Sequence, residues 1–307
     1  MGQLEDMTAF VRIVDAGTIS RAAEQSGMAK SALSRRLSDL ETRMNVQLLN
    51  RTTRKSSLTE AGRSYYARAQ QIINDVNELH ALTSNAKAAL QGDLKIAVPN
   101  SFGLLHLTPL INEFAKLHPQ IDFQVNFSDG QVDLVEEGFD IAVRIAELKN
   151  SSHIARKLTQ INLILCTSPE YILKTGSPQD PHDLKNHDFI GYSLSSNSSF
   201  KLTDAQGSET ILRPSFKINA NNGEYLCAAA IAGLGIAALP TFLVSKAIDE
   251  GKLIQLLPQY SLPAFNAYAL YPQTRHLSRR VRVFIDFLVD KFAGPPHWDA
   301  PVFKNSK

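Results

Sequence analysis

Two short clusters of cations, Lys30, Arg35 and Arg36 and then Arg51, Arg54 and Lys55, have the residue types and spacing to do chemistry. That chemistry is recognition of a polyanion. Ser31, Ser34 and Ser38 are interleaved with the first cluster, Thr52 and Thr53 with the second. An arginine fork reads a guanine edge bidentately, and serine or threonine hydroxyls bond phosphate oxygens. The net charge of +2 over 307 residues conceals this asymmetry. Residues 1–58 hold nine Lys/Arg against six acids, so the first part is +3 and the remainder −1. Such local clustering is what a phosphate backbone attracts.

These side chains need a scaffold. Leu4, Met7, Phe10, Val11 and Val14 recur at helical spacing, which predicts a first helix over 4–15. Gly17 ends it, and Thr18 or Ser20 can cap a short helix from Ser20 to Gln25 that Gly27 breaks. Ala22 and Ala23 are small enough for two helices to cross closely. A third helix, about Lys30 to Met44, puts Leu33, Leu37, Leu40 and Met44 on one face. Its opposite face presents Lys30, Ser31, Ser34, Arg35 and Ser38, with Arg36 also counted toward DNA. A recognition helix enters the major groove with its N-terminal residues leading, so Arg35 is the expected base reader.

Gln47–Leu49 and Lys55–Leu58 are expected as short strands around a basic wing in which Arg51, Thr52, Thr53 and Arg54 grip phosphates. Thr59-Glu60-Ala61-Gly62 opens a long helix running to about Leu90. Within it Tyr65, Ala69, Ile72, Val76 and Leu79 form a heptad seam that suits a partner helix.

From Asp93 the pattern becomes strand–helix alternation. Strands are expected at 94–98, 121–127, 140–144, 154–158, 161–167, 216–220, 236–239 and 267–271, and helices at 103–117, near Glu170, at 223–232 and at 277–292. This is an α/β domain with mainly parallel pairing. Chain crossings near Leu165 and Pro263–Asn266 predict two lobes hinged around a cleft, and Gly294-Pro295-Pro296 predicts a loosely held tail.

Ligands of such domains bind beyond the carboxyl ends of strands, often at helix N-termini. Asn100, Ser101 and Phe102 follow the first strand, where free amides can hold a carboxylate. Ser128 ends the second strand, and Asn221 and Asn222 precede a helix of the other lobe. Thr167 and Thr241 are further candidates, and Arg144 is either an edge salt-bridge residue or a ligand clamp. Helix capping is the competing role for these groups.

Other classes find little support. Gly233-Leu234-Gly235-Ile236-Ala237-Ala238 matches a loose dinucleotide fingerprint, but it follows a helix and opens a strand, the reverse of the required order. There is no Walker loop, Gly-x-Ser-x-Gly elbow or His-Glu-x-x-His, so no catalytic residue, metal or cofactor is expected. Cys166 and Cys227 lack metal-ligand spacing and read as small buried hydrophobes. A regulator responding to redox through Cys227, or to pH through a histidine, stays open as an alternative. No apolar run spans a bilayer and the acidic start lacks a signal pattern, so a cytoplasmic location and no membrane partner are expected.

Residues 4–62 resemble the N-terminal domain of LysR-type transcriptional regulators. The resemblance rests on Phe10, Ala22-Ala23, Ser34-Arg35, Leu40-Glu41, Arg51-Thr52-Thr53-Arg54 and Leu58-Thr59-Glu60-Ala61-Gly62. It continues through Asp133–Ile145, Gly233–Pro240 and Val281–Leu288. Asn45 and Leu49 depart from the family's glycine and phenylalanine, but Asn tolerates a left-handed backbone and Leu keeps the apolar plug.

The resemblance implies a winged helix-turn-helix (1–58), a long dimerising linker helix (59–92) and a two-lobed, periplasmic-binding-protein-like α/β domain (93–307). Lobe I is expected to take about 93–164 and 267–293, and lobe II about 165–266. The expected partners are promoter double-stranded DNA, a small-molecule effector with carboxylates as candidates, further copies in a homodimer or homotetramer, and RNA polymerase.

Overall fold

The computed structural model describes residues 2–51, 56–83, 90–130, 133–146, 153–194, 199–272 and 277–303. The chain forms two compact units: Met1–Gly92 with Asp133–Phe139 and His276–Arg280, and Asp93–Val132 with Asp140–Arg275 and Val281–Lys307.

The first unit begins with α1 (Gln3–Ala16), α2 (Ile19–Ser26) and α3 (Lys30–Met44). Their ends follow backbone chemistry. Gly17, Gly27 and Asn45 all take positive φ, and the 51° of Asn45 shows it doing a glycine's work. The hydroxyl of Thr18 accepts the Arg21 N–H and caps α2. Phe10, Ile13, Ala22, Leu33, Leu37 and Leu40 make the core, whereas Met44 is exposed.

Two short antiparallel strands follow, β1 (Leu49–Arg51) and β2 (Ser56–Leu58), and then α4 (Glu60–Thr83). Among the described residues α4 ends at Thr83; Leu90 is not helical, and β3 (Gln91–Val98) starts beside it, earlier than expected. The proposed seam divides. Ala69 is buried in the core of the first unit, with Tyr65 packed edge-on against Phe10, whereas Ile72 is 39% and Leu79 59% exposed.

The second unit holds two five-stranded sheets. After β3, α5 (Asn100–Phe102), a π-helical stretch (Gly103–Leu107) and α6 (Thr108–Leu117) run end to end. The helix thus starts three residues before the expected Gly103. The wider π turn also rotates its face, so Leu107, Ile111 and Phe114 are buried while Leu104 and Leu117, expected beside them, are exposed.

Then come β4 (Gln120–Phe127), β5 (Ile141–Ala146), β6 (His153–Ile161) and β7 (Leu163–Thr167). They are followed by α7 (Pro169–Thr175), β8 (Phe189–Tyr192), β9 (Phe200–Thr203), β10 (Glu209–Leu212) and β11 (Phe216–Ala220). The chain continues with α8 (Gly223–Ile231), β12 (Ile236–Pro240), α9 (Thr241–Asp249), β13 (Ile254–Leu256), β14 (Phe265–Pro272), α10 (Arg279–Lys291) and α11 (Ala300–Phe303).

The first sheet, in lobe I, has the order β4-β3-β5-β14-β6, and the second, in lobe II, β11-β8-β12-β7-β13. Pairing is mixed rather than mainly parallel. β3/β5, β8/β11 and β8/β12 are parallel, but β14 runs antiparallel to β5 and β6, and β7 antiparallel to β12 and β13. The returning strand β14 in lobe I and β7, reversed against both its neighbours in lobe II, are the cause. The first crossing between sheets is Asn162, the one residue between β6 and β7.

The tail is not loose. Trp298 is 3% exposed and Val302 is buried in the lobe II core. A large aromatic three residues after Pro295 outweighs the Gly-Pro-Pro signal.

Candidate nucleic-acid interface and effector cleft

The buried stripe Leu33, Leu37 and Leu40 fixes how α3 sits, and with it which side chains face outward. Lys30, Ser31 and Arg35 are exposed, and Ser34 and Ser38 are partly so. Arg36 is a departure. It is 26% exposed, and its Nη1 donates to Asp6 Oδ1 at 3.1 Å. Arg43 engages the other oxygen of the same carboxylate. Asp6, buried on α1, therefore clamps α3 through two arginines, and Arg36 is spent on holding the helix rather than offered outward.

Glu41 ties α3 to the wing. Its Oε1 accepts the backbone N–H groups of Leu48 at 2.8 Å and Leu49 at 3.2 Å, satisfying a buried carboxylate with buried amides. On the far side of the wing, Thr59 Oγ1 accepts the Gly62 N–H at 2.9 Å and donates to Gln47 O. A Cβ on Gly62 would lie 2.0 Å from the carbonyl oxygen of Leu48, so only glycine admits this approach. The side chain of Arg51, and all of Thr52, Thr53 and Arg54, lie outside the described residues.

In the second unit the two lobes meet where α5 faces α8. Ser101 Oγ donates to Glu224 Oε2 at 2.5 Å, and a Cβ on Gly223 would come within 2.9 Å of that hydroxyl. Asp129 does two things at once. Its Oδ1 accepts the Asn100 N–H at 3.0 Å, and its Oδ2 accepts from Asn100 Nδ2 at 2.9 Å. It also accepts from the Tyr192 hydroxyl of lobe II, whose pKa is pushed up by burial and then by this carboxylate. The Asn100 amide, one of those expected to hold a ligand carboxylate, is thus already held by one from the chain.

Other candidates are placed elsewhere. Phe102 is fully buried among Phe242, Phe292 and Trp298, a packing role. Thr167 Oγ1 donates to Gly235 O at 2.8 Å, and Thr241 Oγ1 to Asp299 at 2.6 Å; both are buried. Asn222 caps α8 by accepting the Tyr225 N–H, and Arg144 Nη1 donates to Ser128 O at 2.6 Å. Ser128 Oγ accepts the Gly130 N–H, and Asn221 is exposed. Asn100, Ser101 and Asn222 therefore lie on the elements where the two lobes meet, Thr167, Thr241 and Phe102 inside the packing. Asp129, Tyr192 and Glu224 were missed. The signal available was slight: an acid beside Ser128, and an acid in the first turn after Asn-Asn-Gly.

Cys166 and Cys227 are buried free thiols. Burial pushes both upward, with Glu224 adding to the effect on Cys227, so neither is poised as a thiolate. No group of metal-binding side chains and no helix long and apolar enough to cross a membrane occurs among the described residues.

Comparison with known proteins identifies the two domains. A family model described as a bacterial regulatory helix-turn-helix protein, lysR family, matches residues 4–63, and one described as the LysR substrate binding domain matches 87–293. The regulator CrgA of Neisseria meningitidis is 38% identical, over 94% of this chain and 96% of its own. Its structure aligns with TM-score 0.61, covering 94% and 99%. The Vibrio cholerae virulence activator AphB, 26% identical, aligns with TM-score 0.60 over 94% and 99%. The activator AaeR of Escherichia coli is 32% identical over 95% and 94%. The chain belongs to the LysR family of bacterial transcriptional regulators, with a DNA-binding helix-turn-helix domain and an effector-binding domain.

Proposed function

We propose that this regulator reads promoter DNA by seating α3 in the major groove, with Lys30, Ser31, Ser34 and Arg35 toward the bases and phosphates and the wing, Arg51 to Arg54, on the backbone. The carrying observation is the outward face of α3: its buried leucine stripe leaves Arg35 and Lys30 exposed beside the groove-leading N-terminus. Ser38 follows on the same helix, while Arg36 serves position rather than contact.

The chain acts as a homodimer or homotetramer, with the exposed Ile72 and Leu79 of α4, and the half-buried Val76 between them, as the dimer seam. A small effector between the lobes, framed by Asn100, Ser101, Ser128, Asn221 and Asn222, alters promoter contacts and passage of RNA polymerase. A carboxylate effector would have to do without Asn100, whose amide and side chain donate to Asp129. The relatives are transcriptional regulators, which supports a non-enzymatic role.

The test is operator binding by Arg35→Ala against random duplex at fixed salt. A base reader loses roughly 1–3 kcal/mol on the operator and little on random DNA. Equal losses on both would reduce Arg35 to a phosphate contact.

A further inference from the structure

Residues 297–303 lie beyond the 87–293 segment that the family's effector domain occupies, yet they are built into both lobes. Trp298 packs edge-on or tilted among rings from two sides. Its centroid is 4.4 Å from His106 and 5.9 Å from Phe102, both on the lobe I helix, and 6.3 Å from Phe242 on α9 of lobe II. Its indole N–H meets no acceptor among the described residues, so packing holds the ring. Further along, Val302 enters the lobe II core.

Asp299 is the fastening. Its Oδ2 accepts from Asn162 Nδ2 at 2.7 Å and its Oδ1 from Thr241 Oγ1 at 2.6 Å. Asn162 is the crossing residue between the two sheets, and its carbonyl also accepts the Thr241 N–H at 2.9 Å. Hinge closure and opening in a two-lobed domain concentrate φ/ψ change in the few residues that cross between lobes. A segment bonded to the crossing and packed on both lobes opposes that change.

We propose that residues 297–303 are an interlobe strap that restrains the hinge at Asn162 and so sets the width of the cleft. Regulation through the strap rests on the effector reading above; the strap itself does not. The geometry joins a charge-assisted fastening at the hinge to an aromatic plug between the lobes.

The chain contains one tryptophan, so the strap carries its own reporter. Asp299→Ala in the full-length protein removes both side-chain bonds and leaves Trp298 in place. Without any added ligand, the tryptophan emission should shift to the red and its quenching by acrylamide should rise. In parallel, fluorophores on non-natural residues at Lys116 of lobe I and Leu173 of lobe II, both exposed, report lobe separation. Labelled chains diluted with unlabelled ones isolate the distance within a protomer, which should lengthen and broaden. Release of the tryptophan with an unchanged lobe distance overturns the strap, and so does an unchanged tryptophan. Where Asp299→Ala fails to fold, Thr241→Val removes the hydroxyl that contacts Asp299 and the Asn162 carbonyl, and is read in the same two ways. Because no effector is used, failure here is separate from failure of the effector reading.

Discussion

Glu41 accepts the Leu48 N–H at 2.8 Å across the turn that follows α3. This bond fixes where the chain leaves α3 and therefore where the wing begins. Glu41→Ala strands two buried amides, at a cost of about 2–3 kcal/mol. Denaturant unfolding should show that loss, and footprinting should show wing protection weakening before that of the central groove contacts. Unchanged stability would mean that water replaces the carboxylate.

Asp6 holds both Arg36 and Arg43 from beneath α3. Asp6→Asn keeps the volume and removes the charge. With both arginines partly solvated, we expect about 1–2 kcal/mol of lost stability and a similar fall in operator affinity. An operator affinity unmoved by Asp6→Asn would show that the clamp does not orient α3.

Ile72 lies on the outward side of α4. A glutamate at a dimer seam must be desolvated without a partner, so Ile72→Glu should shift sedimentation toward monomers at micromolar protein. Ala69→Glu, by contrast, should unfold the helix-turn-helix unit, because Ala69 is in its core. Persistent dimers in the Ile72 variant would place the interface elsewhere.

His106 should make the second unit acid-sensitive. Burial holds its imidazole below the ordinary pKa of 6.5, His297 adds to this, and the Phe242 carbonyl opposes it. The unfolded chain therefore takes up the proton first on acidification. Stability is fully present above pH 6.5 and declines as the pH falls below it, toward the depressed folded pKa. The melting temperature should drop between about pH 7.5 and about pH 5.5, and His106→Gln should flatten part of that slope. His187, lowered mainly by burial, remains to give a smaller acid loss in the variant. A slope identical in both proteins would exclude His106 as its source.

Much of the first unit could be read from its residues, because local signals agree there. Helix α3 begins and ends at the expected Lys30 and Met44, since Gly27 and Asn45 punctuate a clean leucine period. The second unit is harder. The interlobe pair Ser101 and Glu224 is separated by 123 positions, and nothing local marks either as the other's partner. Helix α9, strand β13 and the β9–β10 hairpin were not anticipated, being short or without clear periodicity. The π-helical stretch changes the phase of a helix without any residue type that announces it. The tail shows the same weakness of local rules: proline and glycine suggested release, while Trp298 is buried and Asp299 bonds Asn162 far upstream.

Where Gly62 touches the Leu48 carbonyl, the long helix and the root of the wing are welded, with no room for even a methyl group as a bearing. Twist applied along the helix axis therefore reaches the wing as torque. A loop joint would dissipate it. In mechanical language, the root of the wing is the end of a crank whose shaft is α4.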